Sequence, residues 1–343
     1  PMRALLAPIH AAAILTGAKS FQANPILGSA ALNRRGLHLW RIRTAERMAD
    51  ARRARLSRFA DAADREAYAR DGFVVRRDAL PPDAFRALLA EVEGRPLPAR
   101  EMRQGSAVTR FIDLDPGALR RLPAVRRFLT EGPFAGLLRY VAAANADPLF
   151  YLHAVLTDPA RGRPDPQTAF HADTFHATAK GWLFLRDVAE ADGPFTYVPG
   201  SHRLTPGRLA WEHAQAEAAA AHPDALHARG SFRADAGDLR AMGYGPPVSF
   251  AAAANTLVVA DTHGFHARGP SLRPSLRPAI YGSLRRNPFL PWTGLDPLSL
   301  PGLAGRSGVM FGAWLDARER WLGKRSPQPR VGDVAVDDPL PRV

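Results

Sequence analysis

The sequence predicts a mainly β protein with flanking helices, a double-sheet jelly roll preceded by a helical N-terminal appendage. Short apolar runs punctuated by glycine and proline recur at 150–156, 180–188, 194–198, 248–251, 256–261 and 277–285, the pattern of many short strands joined by turns. Helical periodicity is concentrated outside these runs. The 343 residues, 46% hydrophobic, are enough for one sizeable core.

Taken in order, residues 4–18 are apolar except for His10 and Thr16, too short a run for the roughly 20 residues of a spanning helix. No small-residue cleavage pattern follows, so neither a span nor a signal peptide is expected. Residues 37–60 carry a helical stripe of Leu37, Trp40, Met48 and Phe59, with arginines on the other faces. A strand is expected at 73–75 and a helix at 82–93, with proline in its first turn. Helices are expected across 116–143 and strands at 168–173 and in the runs above. The alanine-rich 207–229 reads as a helix inserted between strands, and 230–247 as a glycine-rich mobile loop; together 207–247 form a candidate substrate lid. A last helix spans 309–323, and the proline-rich 324–343 is expected to be a disordered tail.

Charge is unevenly placed. Eleven basic residues against Glu46 and Asp50 give residues 1–60 most of the net charge of +13. A basic amphipathic helix with a tryptophan can rest on anionic lipid, which would make contact between residues 2–60 and the inner membrane surface an option for a cytoplasmic protein. Packing of the stripe on the barrel is the plainer alternative. Nucleic acid is not an expected partner, because Trp40 is the only aromatic platform among the arginines. The absence of cysteine excludes disulfides and thiolate metal sites, so any metal must be held by His, Asp or Glu.

The chemistry-bearing stretch is FHADTFH at 170–176. Read as a strand, it presents His171 and Asp173 on one face. A third donor, His266, follows the apolar strand at 257–260, and two histidines with one carboxylate make the ligand set of non-haem iron oxygenases. His176 and His263 lie on the opposite parity and are the rival donors. His202 is expected to serve a turn. Eleven residues past His266, Arg277 heads a strand and can offer its two-pronged fork to a carboxylate.

With these residues in view, the chain resembles the phytanoyl-CoA dioxygenase family of Fe(II)/2-oxoglutarate oxygenases over about 71–287. The resemblance is carried by DGFVVRRDALPPDAF at 71–85, the HAD of 171–173, DGPFTYVPGSH at 192–202, HARG at 266–269 and Arg277. It implies that His171, Asp173 and His266 hold Fe(II), that Arg277 anchors the far carboxylate of 2-oxoglutarate, and that Trp182 lines the co-substrate. Where the family can carry a small hydroxyl residue, two positions past the distal histidine, this chain has Arg268, placed with the same co-substrate. It also implies O2 as a reactant and hydroxylation of an unactivated C–H bond, since related halogenases replace the carboxylate by a small residue.

The domain expectation is therefore a basic appendage at 1–60, a jelly-roll dioxygenase domain at 61–323 and the tail. The substrate is expected to be a small molecule, anionic and lipid-linked if the basic N-terminus meets a membrane. Two rival functions are a cupin-like metal-binding jelly roll without oxygenase activity and a basic adaptor whose barrel is only scaffold. Arg277 discriminates against the first, because a cupin that binds no 2-oxo acid has no need of it.

Overall fold

The computed structural model describes residues 7–339. Eleven strands form two antiparallel sheets: β1 (Phe73–Arg76), β2 (Leu97–Gln104), β3 (Ala107–Asp113), β4 (Leu149–Thr157), β5 (Ala179–Phe184), β6 (Phe195–Tyr197), β7 (Val248–Ser249), β8 (Leu257–Asp261), β9 (His266–Arg268), β10 (Ser275–Leu284) and β11 (Arg330–Val334). The main sheet runs β1-β8-β5-β10-β4-β3-β2-β11, and the smaller one β7-β6-β9. Helices of eight residues or more are α1 (Leu37–Arg55), α2 (Ala62–Asp71), α3 (Pro82–Val92), α4 (Pro123–Glu131), α5 (Phe134–Val141), α6 (Pro206–Ala218) and α7 (Ser307–Leu322). Among the described residues no helix is long and apolar enough to cross a membrane.

The two faces of the main sheet have different partners. Its outer face buries Leu152, Leu183, Val259 and Ile280 together with Phe134, Leu137, Leu138 and Val141 of α5. That approach depends on two glycines directly opposite each other, Gly181 and Gly282. A Cβ on Gly181 would lie 2.6 Å from Phe134 Cε2, and one on Gly282 2.6 Å from Leu138 Cδ1, so any side chain there would lift the helix off the sheet. The inner face meets the small sheet through Phe184, Tyr197, Phe250, Val258 and Ala279. The space between the sheets is where the site lies.

The hairpin β2–β3 was not evident from the apolar pattern, because β2 contains Arg100, Glu101 and Arg103. Its two-residue loop has Gly105 at φ +59°, a conformation that glycine adopts without strain.

Four expectations are corrected. The stretch 168–173 is not a strand: only His171 forms a bridge, and bends follow through His176. Its amides find carbonyls on three different segments, His266, Phe232 and Thr262, so the chain is extended without a continuous ladder. Second, the expected stripe is not the buried face of α1: Leu37 and Met48 are only half-buried. His38, Arg41, Ile42, Ala45, Ala49, Arg52 and Arg53 are buried, whereas Trp40 is 45% exposed. Arg41 donates to the carbonyls of Ile14, Thr16 and Ala18, and Arg52 to those of Ala143, Pro288 and Leu290. Loop carbonyls need donors, and one guanidinium supplies five.

Third, 207–247 is no lid over the cavity; α6 is clamped beneath α1. Arg208 and Glu212 pair at 2.7 Å with essentially no exposure, and His38 Nε2 lies 2.8 Å from Glu212 Oε2. The expected mobile loop contains a helix, Ala236–Ala241, closed by a capping box between Asp235 and Asp238. Fourth, the expected disordered tail adds β11 to the edge of the main sheet, and Arg110 binds the carbonyls of Ala335 and Asp338 at 2.8 and 2.7 Å. Its last four residues, and the first residues of the 4–18 apolar run, lie outside those described.

Candidate metal centre and co-substrate cavity

His171 and His266 are brought together by backbone pairing. Each donates its amide to the other's carbonyl at 3.0 Å, which sets the imidazoles side by side with ring centroids 4.5 Å apart. Each ring is then oriented by a second bond: His171 Nδ1 donates to Ala169 O at 2.8 Å and His266 Nδ1 to Gly264 O at 2.9 Å. Both Nε2 atoms are thereby left as acceptors on the cavity side, the arrangement that prepares imidazole for a metal. Gly264 permits the turn, since a Cβ there would sit 1.9 Å from Tyr197 Oη.

Asp173 joins them because its amide binds Thr262 O at 2.8 Å, pinning the bend to the end of β8. Its oxygens lie 3.8 Å from His171 Nε2 and 3.7 Å from His266 Nε2. One ion with bonds of about 2.1 Å spans such gaps, and all three donors lie within 4.8 Å of one another. Electrostatics put each group in its ligating state. Burial, reinforced by its histidine neighbour, lowers His171 to about 3, and burial lowers His266 as well. Burial opposes ionisation of Asp173, but Lys180, 2.5 Å from Oδ2, and the two imidazoles hold it well below the usual carboxylate range.

The triad opens into a cavity of about 340 Å³ between the sheets. Strand alternation selects its walls: Lys180, Trp182 and Phe184 from β5, Arg277, Ala279 and Tyr281 from β10, His153 and Val155 from β4, Thr109 and Phe111 from β3. Trp182 packs, with tilted rings, between Phe195, at 4.6 Å, and Tyr281, at 5.8 Å. Arg277 stands at the inner end. Its Nε and Nη2 are buried with no partner, and burial, with Arg268 nearby, lowers it to about 9. A buried fork with two unanswered donors fits a carboxylate. Arg268 lines the same cavity but is engaged, with Nη1 2.6 Å from Asp165 Oδ2.

The rival histidines point elsewhere. His263 Nδ1 donates to Thr174 O at 2.9 Å and His176 Nδ1 to Ala177 O at 3.0 Å. Both line a separate cavity with His202, whose ring packs on Tyr68 at 5.1 Å. Sequence reading missed Lys180 and Asp165. Lys180 shares the parity of Trp182, and that signal would have placed it inside.

The family model described as "Phytanoyl-CoA dioxygenase (PhyH)" matches residues 68–255, which takes in His171 and Asp173 but ends before His266 and Arg277. An ectoine dioxygenase of Bordetella parapertussis (strain 12822 / ATCC BAA-587 / NCTC 13253) is 29% identical over 168 residues, 43% of this chain and 52% of the relative. The match thus spans about half the length of that curated relative. Similar solved structures include the epimerase SnoN in complex with Fe3+, alpha ketoglutarate and nogalamycin RO, at 22% identity, 71% of this chain, 93% of that one and a TM-score of 0.40. Another is EctD from S. alaskensis with 2-oxoglutarate and 5-hydroxyectoine, at 14% identity, 66% and 76% coverage and a TM-score of 0.39. With the family model covering more than half of it, the chain belongs to the phytanoyl-CoA dioxygenase (PhyH) family.

Proposed function

We propose that this protein is an Fe(II)/2-oxoglutarate-dependent dioxygenase that hydroxylates a C–H bond of a small organic molecule. The observation that carries the reading is Arg277: a buried guanidinium with two unpaired donors in the same cavity as a His-Asp-His donor set. In this reading His171, Asp173 and His266 hold the metal by Nε2, a carboxylate oxygen and Nε2, leaving open positions on one side. Arg277 takes the far carboxylate of 2-oxoglutarate, and Trp182 walls the co-substrate. Arg268, tied to Asp165, shapes the floor and leaves that carboxylate to Arg277. Iron with 2-oxoglutarate and O2 supplies the C–H oxidant, 2-oxoglutarate leaving as succinate and CO2.

The chain's own residues do the rest. The two backbone carbonyls hold the imidazole tautomers, Lys180 keeps Asp173 ionised, and Phe111, Phe195 and Tyr281 keep the cavity apolar around the reacting bond. The substrate is an anion on this reading. Lipid linkage rests on the outer face of α1, where Arg43, Arg47 and Arg55 stay exposed. Flotation of the full chain on anionic against neutral vesicles tests that part, and equal partitioning removes it.

The activity itself is tested by anaerobic titration with Fe(II) and 2-oxoglutarate. A weak visible charge-transfer band, lost in Asp173→Ala, supports the reading. Iron binding without the band leaves a metal-binding jelly roll as the better account.

A further inference from the structure

Helix α7 is docked with its polar side inward. Its buried residues are Gly308, Gly312 and Leu315, and Glu319 lies in line with them along the helix. A Cβ on Gly312 would lie 2.9 Å from Arg100 Nε, so the glycine makes room for the guanidinium, which donates Nη2 to Gly312 O at 3.1 Å. Gly308 makes the same room for the carboxyl of Asp113. Asp316 is held at 2.6 Å by both Arg100 and Arg330. Arg100 lies opposite Phe111, a cavity wall, and Asp113 shares the parity of Phe111 on β3. The helix therefore rests on the cavity-side face of the main sheet, beside the cavity.

What turns to solvent is apolar. Met310, Trp314, Ala317 and Trp321 recur at helical spacing on the side away from the glycines, and Trp314 and Trp321 are 53% and 78% exposed. Phe311, also exposed, stacks on Trp314 with ring centroids 5.8 Å apart. A surface helix ordinarily turns its apolar stripe to the core, so this one presents its stripe to a second apolar medium. The charges identify that medium. Over 306–325 the basic residues are Arg306, Arg318, Arg320, Lys324 and Arg325, and the only acids are Asp316, already paired, and Glu319, on the inward line. A second copy docked on this face would bring the arginines of both copies together with no outward acid to answer them. An anionic lipid surface answers them all, and tryptophan rings settle at headgroup level.

We propose that α7 is an interfacial anchor that seats the protein on an anionic phospholipid surface, with Met310, Trp314 and Trp321 in the headgroup region and the flanking cations on the phosphates. The 16-residue helix is about 24 Å long at about 1.5 Å per residue. No helix among the described residues is long and apolar enough to cross a membrane, so α7 lies in the plane of the surface. This contact is separate from the outer face of α1 and does not depend on the oxygenase reading.

The test is co-sedimentation of the full chain with vesicles of phosphatidylcholine alone or of equal parts phosphatidylcholine and phosphatidylglycerol, without iron or 2-oxoglutarate. Three variants are compared with the native chain: Trp314→Ser with Trp321→Ser, Arg320→Gln with Lys324→Gln, and, on α1, Arg43→Gln with Arg47→Gln. All six side chains are exposed, so each variant keeps the buried packing. Binding to the anionic vesicles alone, weakened about tenfold or more by the tryptophan pair, reduced by the Arg320 and Lys324 pair and unchanged by the α1 pair, supports the anchor. No binding to anionic vesicles, or binding that the tryptophan pair leaves intact, overturns it. Loss with the α1 pair alone assigns the contact to α1 and overturns it as well. Light scattering completes the test: a concentration-dependent dimer abolished by the tryptophan pair would make the face an interface between copies and overturn the lipid assignment. The charge-transfer band that tests the oxygenase reading is independent of all these outcomes.

Discussion

Arg268 and Asp165 form a closed pair at 2.6 Å, while Arg277, beside them in the cavity, keeps Nε and Nη2 without partners. Two arginines of one cavity are thus inequivalent: one is satisfied by the protein and the other waits for a ligand. Arg277→Ala is expected to raise the 2-oxoglutarate requirement by about 10- to 100-fold, the worth of a charge-assisted hydrogen bond of roughly 1.5–3 kcal/mol. Arg273→Ala, exposed and paired with Asp192 at 2.7 Å, should leave it unchanged. Half-saturation in a 2-oxoglutarate titration decides, and the reverse ranking would mean that the anchor is misassigned.

Arg208 and Glu212 make a buried pair that also holds His38. Removing one member leaves an unpaired buried charge, so Glu212→Leu alone should cost about 3–5 kcal/mol of stability. The double variant Arg208→Met, Glu212→Leu should recover much of that loss. Urea denaturation of the three proteins measures the coupling; additive losses would contradict it.

Asp113 gives a pH signature. Burial pushes it up to about 6, with Oδ1 unpartnered and Gly308 of α7 packed against the carboxyl. Its folded pKa exceeds the unfolded value of about 3.9, so the folded state binds the proton more tightly. This group therefore favours folding most below pH 4 and loses that contribution as pH rises through 6. Asp113→Asn should stabilise the protein at pH 7 by about 1–2 kcal/mol after allowance for partial solvent screening. The gain should vanish by pH 4 in parallel melts; a pH-independent difference would refute it.

Arg52 and Arg43 lie on opposite sides of α1. Arg52 donates to the carbonyls of Ala143, Pro288 and Leu290, and Arg43 is exposed. Arg52→Ala should lower stability by about 2–4 kcal/mol through the orphaned carbonyls and the lost stem packing. Arg43→Ala should stay within about 0.5 kcal/mol. Equal losses in chemical denaturation would mean that the helix does not dock as described.

The sequence by itself determined most of the run of short strands and offered the His171, Asp173, His266 and Arg277 candidates. Alternation with period two places Trp182 and Arg277 from local chemistry alone, and the HAD, HARG and PGSH segments add the family. Only the tertiary structure decided which of several histidines converge, because His171 meets His266 through backbone bonds across 95 positions and not through spacing. It alone turned Arg41 and Arg52 of α1 inward, since the carbonyls that they satisfy belong to distant loops, and periodicity cannot see an acceptor. Likewise, β11 is ordered by the edge of β2 and by Arg110, so a polar tail became a strand through partners that its own composition does not reveal. Lys19 reached Asp173, and Arg285 reached Gly17, for the same reason: position in space is set by long-range pairing, while a sequence window reports only its own preferences.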